Sequence, residues 1–483
     1  MIKTEVKIFN TASGKKEVFI PLENDQVGMY VCGPTTYNYI HLGNARPLVV
    51  FDTVRRYLEY LGYEVTYIQN FTDVDDKIIN KANEEGIKPA ELASRYIDEY
   101  FRDADALQVK RATVHPRVSE HMEGIIKFIK GLLEKGYAYE MEGDVLFGVT
   151  RFPEYGKLSK RSIDDLQAGA RVEVDEKKEH PADFVLWKKA KPHEPQWPSP
   201  WGLGRPGWHI ECSVMSHEYL GPSFDIHAGG YDLVFPHHEN EIAQSEALHG
   251  VPMAKYWMHN GFITVNEEKM SKSLGNFFLV RDILKKFPAD VIRFYLLATH
   301  YRSPLDFDDE KLGVAQKGLA RLQTAYRLME EAMNGTLAEH SSAAIRLGAQ
   351  GFRQGLQALQ GKFIEAMNDD LNTALAIAVL FDIAREINTF VAAGVTEQDQ
   401  KALLEGKRIF SELAGVLGLQ LDKKGCDNEN GVLVDALMNL IITIRQNART
   451  KKDFQTADEI REKLRQSGII LEDTPQGVRW KPI

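Results

Sequence analysis

The chain has 483 residues, a hydrophobic fraction of 43% and a formal net charge of -10, which fits roughly three or four globular domains and excludes a protein coated in positive charge. No run approaches the ~18 consecutive apolar residues of a membrane span, and the polar start Met1-Ile2-Lys3-Thr4-Glu5 does not read as a signal peptide. Three cysteines, Cys32, Cys212 and Cys426, do not make a secreted disulfide framework, so the expectation is a cytoplasmic protein without membrane contact, whose thiols are reduced or bind metal.

Met29-Tyr30-Val31-Cys32 reads as a buried strand, broken by Gly33-Pro34-Thr35. From Ala45 to Tyr60, the residues Val49, Val50, Val54, Tyr57 and Leu58 share one helical face, and Gly62 ends that helix. Glu64 to Ile68 is the next strand, so this is the strand–helix–strand unit of a parallel sheet. The Pro-, Trp- and Lys-rich stretch Lys188 to Pro206 belongs in or beside an insertion. Phe224 to His227 is extended, Gly229-Gly230 breaks it, and helical spacing resumes from His237 to Leu248, so both halves belong to one sheet. From about Glu310 to Leu419 the composition is Ala-, Leu- and Glu-rich, which predicts a helical bundle with breaks at Gly335 and Gly394. Lys423 to Gly431 is a linker by composition. Leu437, Leu440, Ile441, Ile444 and Ala448 make one amphipathic helix face, and Phe454, Ala457, Ile460 and Leu464 make another. Ile469 to Leu471, Pro475-Gln476-Gly477 and Val478 to Trp480 read as a small hairpin. From Ile441 onward nine Lys/Arg face six Asp/Glu, a local excess of +3 that favours a polyanion there.

Three residue groups carry chemistry. His41-Leu42-Gly43-Asn44 lies between a strand and a helix start, where free N–H groups and the helix dipole suit phosphate. Taken alone it is weak evidence, and a helix cap with a surface histidine is the plainer reading. Lys269-Met270-Ser271-Lys272-Ser273 places two lysines around a short Ser-rich loop that suits a triphosphate, the bland reading being a solvated loop. The third group is Cys32, Cys212, His237 and Glu241. Two thiolates, an imidazole and a carboxylate make a four-ligand zinc set, and His237 and Glu241 are four apart. Spacing alone leaves this open against a solvated helix face.

The first two groups resemble the two signature motifs of the class I aminoacyl-tRNA synthetases. That family usually has a second histidine where Asn44 stands; Asn can still donate a hydrogen bond. The strings Gly207-Trp208-His209-Ile210-Glu211-Cys212 and Phe235-Pro236-His237-His238-Glu239-Asn240-Glu241, with Cys32 after the first strand, resemble the cysteinyl-tRNA synthetases across essentially the whole chain.

That resemblance implies an α/β fold: a Rossmann-like parallel-sheet catalytic domain with an insertion, then a helical bundle and a small C-terminal α+β domain. It places the catalytic halves at 1–125 and 207–262, a connective insertion at 126–206, a stem-contact region with the lysine loop at 263–312, a tRNA-binding bundle at 313–424 and an anticodon-binding domain at 425–483. It implies a monomer that joins L-cysteine to tRNA(Cys) with ATP and Mg2+ through a cysteinyl-adenylate. His41, Asn44, Lys269 and Lys272 are its expected catalytic residues. His41, Gly43, Asn44, Gly229, Gly230, Asp232 and Lys272 are expected at ATP, and Thr72, Trp208 and His227 at cysteine, with core packing an equal alternative for Trp208. Cys32, Cys212, His237 and Glu241 would hold one Zn2+. Arg449, Phe454, Asp458 and Asp473 match positions that contact the anticodon, although Phe454 also fits a helix core.

Zinc has a purpose in this reading. An apolar pocket separates near-isosteres such as cysteine and serine by only about 1–3 kcal/mol. A metal that prefers thiolate uses a real chemical difference. The insertion looks too short for a separate editing domain. Two thiolates, a carboxylate and Zn2+ leave a net negative charge, for which His227, His238 or the substrate ammonium would compensate. The alternative activity is a related ATP-dependent ligase joining cysteine to an amino-sugar, which should lack the C-terminal tRNA module. A zinc hydrolase is disfavoured because Ile242 occupies the position of its second histidine. A non-catalytic tRNA-binding protein is disfavoured by the intact catalytic strings.

Overall fold

The computed structural model describes residues 4–162, 177–192, 194–265, 268–269, 277–335, 348–422, 429–474 and 477–482. The chain forms two compact units. The first comprises Met1–Ala320, Ala358–Phe381 and Glu412–Leu419; the second comprises Arg321–Gln357, Asp382–Ser411 and Gln420–Ile483.

At the centre of the first unit lies a four-stranded parallel sheet. Its order is Ala254–Asn260, Phe224–Gly230, Gln26–Val31, Glu64–Gln69. The strand that starts the chain's first strand–helix–strand unit therefore pairs directly with a strand about 200 residues away, as the sequence predicts for one split sheet. The helix Leu42–Tyr60 makes the first crossover and the helix Glu239–His249 connects the other pair. The sheet is buried on both faces, which explains runs such as Met29-Tyr30-Val31 with no polar alternation.

The predicted helix from Ala45 begins earlier, at Leu42, because His41 and Asn44 form a capping box. Gly62 ends it with φ 97°, a conformation that favours glycine. The expected helix from His237 begins instead at Glu239. Phe235 is extended (φ -140°, ψ 134°), and this kink delays the regular helix.

Between the halves of the sheet lies a five-stranded antiparallel sheet, ordered Ala138–Met141, Asp144–Phe147, Phe184–Lys189, Gly202–Pro206, Trp197–Ser199. The helix Met122–Glu134 packs Ile125, Phe128, Ile129 and Leu132 into the same core as Val214, Met215 and Ile242. That core supports the central sheet from one side.

Four long helices follow: Asp309–Met333, Ala349–Asn368, Thr373–Ala392 and Gln400–Val416. Gly335 (φ 68°) and Gly394 (φ 86°) sit at the predicted breaks. In the second unit, the helices Glu429–Thr450 and Phe454–Gln466 pack with the hairpin Ile469–Thr474 and Gly477–Pro482. Here the expected apolar face is wrong in detail. Leu437, Leu440 and Ile444 are exposed, while Met438 and Ile442 are buried against Leu464 and Leu471. This helix is apolar over a wide arc, and the partners rather than periodicity select the buried side.

Candidate active site and metal centre

In open parallel sheets, ligands bind where crossovers leave in opposite directions at the carboxyl ends of the strands. Here that point lies between Gln26–Val31 and Phe224–Gly230. A cavity of about 340 Å³ opens there.

Each strand end delivers a functional group. Cys32 follows the first strand and Thr72 follows the strand Glu64–Gln69. His227, Gly229 and Gly230 lie on the strand Phe224–Gly230, and Trp208 and Cys212 lie in the first turns of the helix Trp208–Leu220. Gly33 permits this convergence, since a Cβ there would stand 1.6 Å from the carbonyl oxygen of Asn70. The Asn70 side chain accepts from the Gly33 N–H (2.9 Å) and holds the turn after Cys32.

Cys32, Cys212, His237 and Glu241 place ligand atoms within 4.8 Å of one another. The two sulfurs are 3.7 Å apart, and Cys32 Sγ lies 3.5 Å from Glu241 Oε1. His237 Nε2 lies 3.0 Å from that same oxygen. Cys212, His237 and Glu241 are buried, while Cys32 is half-buried at the cavity wall.

Histidines surround the cluster. His227 Nε2 donates to Glu241 Oε2 (2.8 Å), and its ring stacks on Trp257. His238 Nε2 lies 3.3 Å from Cys32 Sγ, and its Nδ1 lies 2.8 Å from His259 Nε2. His259 Nδ1 in turn meets the Thr11 hydroxyl (2.8 Å). His209 Nδ1 lies 3.0 Å from His237 Nδ1.

Electrostatics separates these groups. Burial, and then hydrogen bonding to Cys212, pushes the Cys32 thiol well above its usual range. The hydrogen bond from Cys32 pulls the Cys212 thiol down to about 6, so the pair shares one proton with the charge on Cys212. Burial opposes ionisation of both Glu241 and His237. The charges of His227 and His237 nevertheless hold the Glu241 carboxyl well below the carboxylate range, and Glu241 raises His237 to about 10. Burial keeps His209, His238 and His259 neutral, the last lowered to about 3.

The nucleotide-side residues meet in the same cavity. His41, Gly43, Asn44, Gly230 and Asp232 line it together with Thr72, Trp208, Cys32, Cys212 and His237. Asn44 Oδ1 accepts from the His41 backbone N–H (3.2 Å), so the amide nitrogen is the side offered to a ligand. No acidic residue occupies the first turn of this helix, and its dipole is unopposed. Gly229 does not line the cavity but is packed tightly; a Cβ there would approach Leu233 Cδ1 to 2.9 Å and His238 Cε1 to 3.0 Å. The Leu42 N–H donates to the Phe278 carbonyl (3.0 Å) and the Val280 N–H to the Ile40 carbonyl (3.1 Å), and the His41 ring meets Phe277 edge-on. Lys269 ends a short strand paired with Ile263–Val265, whereas Met270 to Asn276, including Lys272, lie outside the described residues.

On the amino acid side, Thr72 Oγ1 donates to Glu211 (2.9 Å). Trp208 is 41% exposed and stacks on His237 with ring centroids 4.3 Å apart, which removes the core-packing alternative. His227 is fully buried behind Glu241 and does not line the cavity. Sequence reasoning missed His209, His259, Asn70 and Arg46. Arg46 is fully buried, and its guanidinium donates to the carbonyls of Gly261 (2.9 Å), Phe262 (2.8 Å), His300 (3.3 Å) and Ser303 (2.5 Å).

In the second unit, Phe454 is 59% exposed at the start of its helix, so it is not a core residue. Arg449 lies in the last turn of the preceding helix, Asp458 lies one turn after Phe454, and Asp473 lies in the hairpin, paired in register with Val478.

Comparison with known proteins agrees with this geometry. Residues 18–317 match the family described as tRNA synthetases class I (C) catalytic domain. Residues 362–422 match the DALR domain, and residues 434–480 match the cysteinyl-tRNA ligase anticodon binding domain. The cysteine–tRNA ligase of Heliobacterium modesticaldum is 62% identical over 479 residues, 99% of each chain. That of Carboxydothermus hydrogenoformans is 58% identical, covering 99% of this chain and all of its own. Among solved structures, Mycobacterium tuberculosis methionyl-tRNA synthetase shares the fold with a TM-score of 0.60 at 14% identity, over 81% of this chain and 90% of its own. With a catalytic and an anticodon-binding match in order, and near-complete similarity to two such ligases, the chain belongs to the cysteine–tRNA ligase family.

Proposed function

We propose that the chain activates L-cysteine with ATP to a cysteinyl-adenylate, releasing diphosphate, and then transfers cysteine to tRNA(Cys), releasing AMP. The observation that carries this reading is the cluster of Cys32, Cys212, His237 and buried Glu241, the first three of which line a cavity together with His41 and Asn44. The amino-sugar ligase alternative is not supported, because a match to the anticodon binding domain occupies residues 434–480.

The donor set fits zinc. Two thiol sulfurs, an imidazole and a carboxylate converge with three of the four buried, and without a cation their negative charges oppose one another. Bound there, zinc would supply a Lewis acid that takes the substrate sulfur as thiolate and disfavours a hydroxyl. His227 orients the Glu241 carboxylate, and His238 faces the Cys32 sulfur. Trp208 and Thr72 bound the cysteine side chain and ammonium. The start of the helix Leu42–Tyr60, with His41, Gly43 and the Asn44 amide, receives the phosphates as charge develops on them. Asp232, beside Gly229-Gly230, accepts from the ribose. Lys269 and Lys272 add positive charge to the triphosphate with its Mg2+. No protein nucleophile is needed, so catalysis is positioning and charge stabilisation.

Arg449, Phe454, Asp458 and Asp473 read the anticodon, the exposed ring stacking on a base and the charged groups bonding base edges. We keep the sequence-based division of the chain as part of this reading; family matches at 18–317, 362–422 and 434–480 support its order of catalytic, helical and anticodon-binding parts. We take the enzyme to act as a cytoplasmic monomer. Among the described residues no helix is long and apolar enough to cross a membrane. Pyrophosphate exchange into ATP, measured for every amino acid with and without a zinc chelator, tests the reading. Exchange should require cysteine and vanish on chelation; equal exchange with serine overturns zinc selection.

A further inference from the structure

The cavity receives anions, yet its wall is poor in positive charge. Among the described residues that line it, Lys77 alone is a lysine or arginine. Its surroundings are unlike those of the other cations nearby. Lys188 and Arg205, from the insertion, are both paired with the carboxylate of the adjacent Asp76. Asp75 caps the helix Asp76–Glu85 by accepting from the Lys77 backbone N–H (2.8 Å), not from its ammonium. The Lys77 ammonium instead stands 5.6 Å above the ring of Tyr37, which also lines the cavity. No described carboxylate lies within ion-pair reach of it.

We propose that Lys77 binds a phosphodiester of the tRNA acceptor end during the transfer step, with Tyr37 holding its ammonium at the cavity mouth. The inference rests on the proposed tRNA-ligase reading. Three observations support it. The side chain is exposed, so it is accessible to a macromolecule entering from outside. It lines the cavity with Thr72 and Trp208, and it directly follows Asp76, which pairs with Lys188 and Arg205 of the insertion. The chain as a whole carries a formal charge of -10, so a polyanion must be met by locally placed cations. Lys77 acts as a point charge, and a cation held over an aromatic face loses less freedom on binding.

The test compares the two half-reactions in the full-length protein. Lys77→Ala should leave cysteine-dependent pyrophosphate exchange within about twofold of the parent. It should lower kcat/KM for tRNA in aminoacylation about tenfold, and Lys77→Glu should lower it further. Lys77→Arg should restore most of the loss, and the salt dependence of tRNA binding should flatten by nearly one phosphate contact in the alanine variant. If exchange and aminoacylation fall together with a raised KM for ATP, the phosphate belongs to the nucleotide and the proposal is overturned. It is equally overturned if neither reaction changes. Failure of the parent protein to exchange pyrophosphate with cysteine would instead reject the ligase reading itself.

Discussion

His227 and Glu241 form a buried pair in which Nε2 donates to Oε2 at 2.8 Å, while the other carboxylate oxygen faces Cys32 and His237. One oxygen is thus held by the protein and the other is turned to the candidate metal position. A histidine read from sequence as a substrate contact is here bonded to the Glu241 carboxylate and fixes its orientation.

Removing that bond should weaken the metal more than the fold. His227→Ala should reduce zinc affinity about 10–100-fold, the usual cost of losing an outer hydrogen bond to a ligand. Competition with a chromogenic chelator reads this directly. Unchanged affinity would show that Glu241 is oriented by something else.

Zinc retention should strengthen as pH rises. Without metal, the Cys32 thiol keeps its proton and His237 holds one up to about 10, while Cys212 titrates near 6. Metal binding must displace those protons, so affinity falls at low pH and keeps rising from about 6 up to about 10. For Cys212 by itself the sign is the same. Its pKa is depressed in the fold, so its contribution to stability is complete above the ordinary thiol value and is lost as pH falls through about 6. Chelator titrations at several pH values check the slope, and a flat profile contradicts the protonation scheme.

Gly33→Ala should be among the most damaging small substitutions. The added methyl would need to occupy the Asn70 carbonyl, and backbone cannot move aside as a side chain can. A loss of at least about 1–3 kcal/mol is expected, together with zinc binding, because Cys32 is the preceding residue. Thermal unfolding with parallel metal analysis tests this.

Phe454→Ala and Asp458→Ala should spare stability within about 0.5 kcal/mol, because the ring is exposed and Asp458 follows it on a surface helix. Loss of a stacking ring should cost about 1–3 kcal/mol of tRNA binding. Aminoacylation should therefore fall while cysteine activation persists. A parallel loss of both reactions would reject the modular reading.

Much of this was legible in the chain itself. The zinc candidates were found because two cysteines and a His-His-Glu-Asn-Glu string are chemically distinctive. The split sheet was found because strand-like runs end in glycine on both sides of the insertion. Other features have no such mark. His259 and Asn70 sit at strand ends, and their roles come from neighbours far away in sequence. Arg46 resembles any helical arginine until the four carbonyls around it are seen. Periodicity misjudged Leu437, Leu440 and Ile444 because hydrophobicity reports what a face is made of, whereas burial depends on which neighbours reach it.

The main-chain pairing of Ile40 and Leu42 with Phe278 and Val280 has an evolutionary corollary. Amide-to-carbonyl bonds are indifferent to side-chain identity, so these positions can drift without loosening the seam between the His41–Asn44 turn and the stretch that follows the lysine loop.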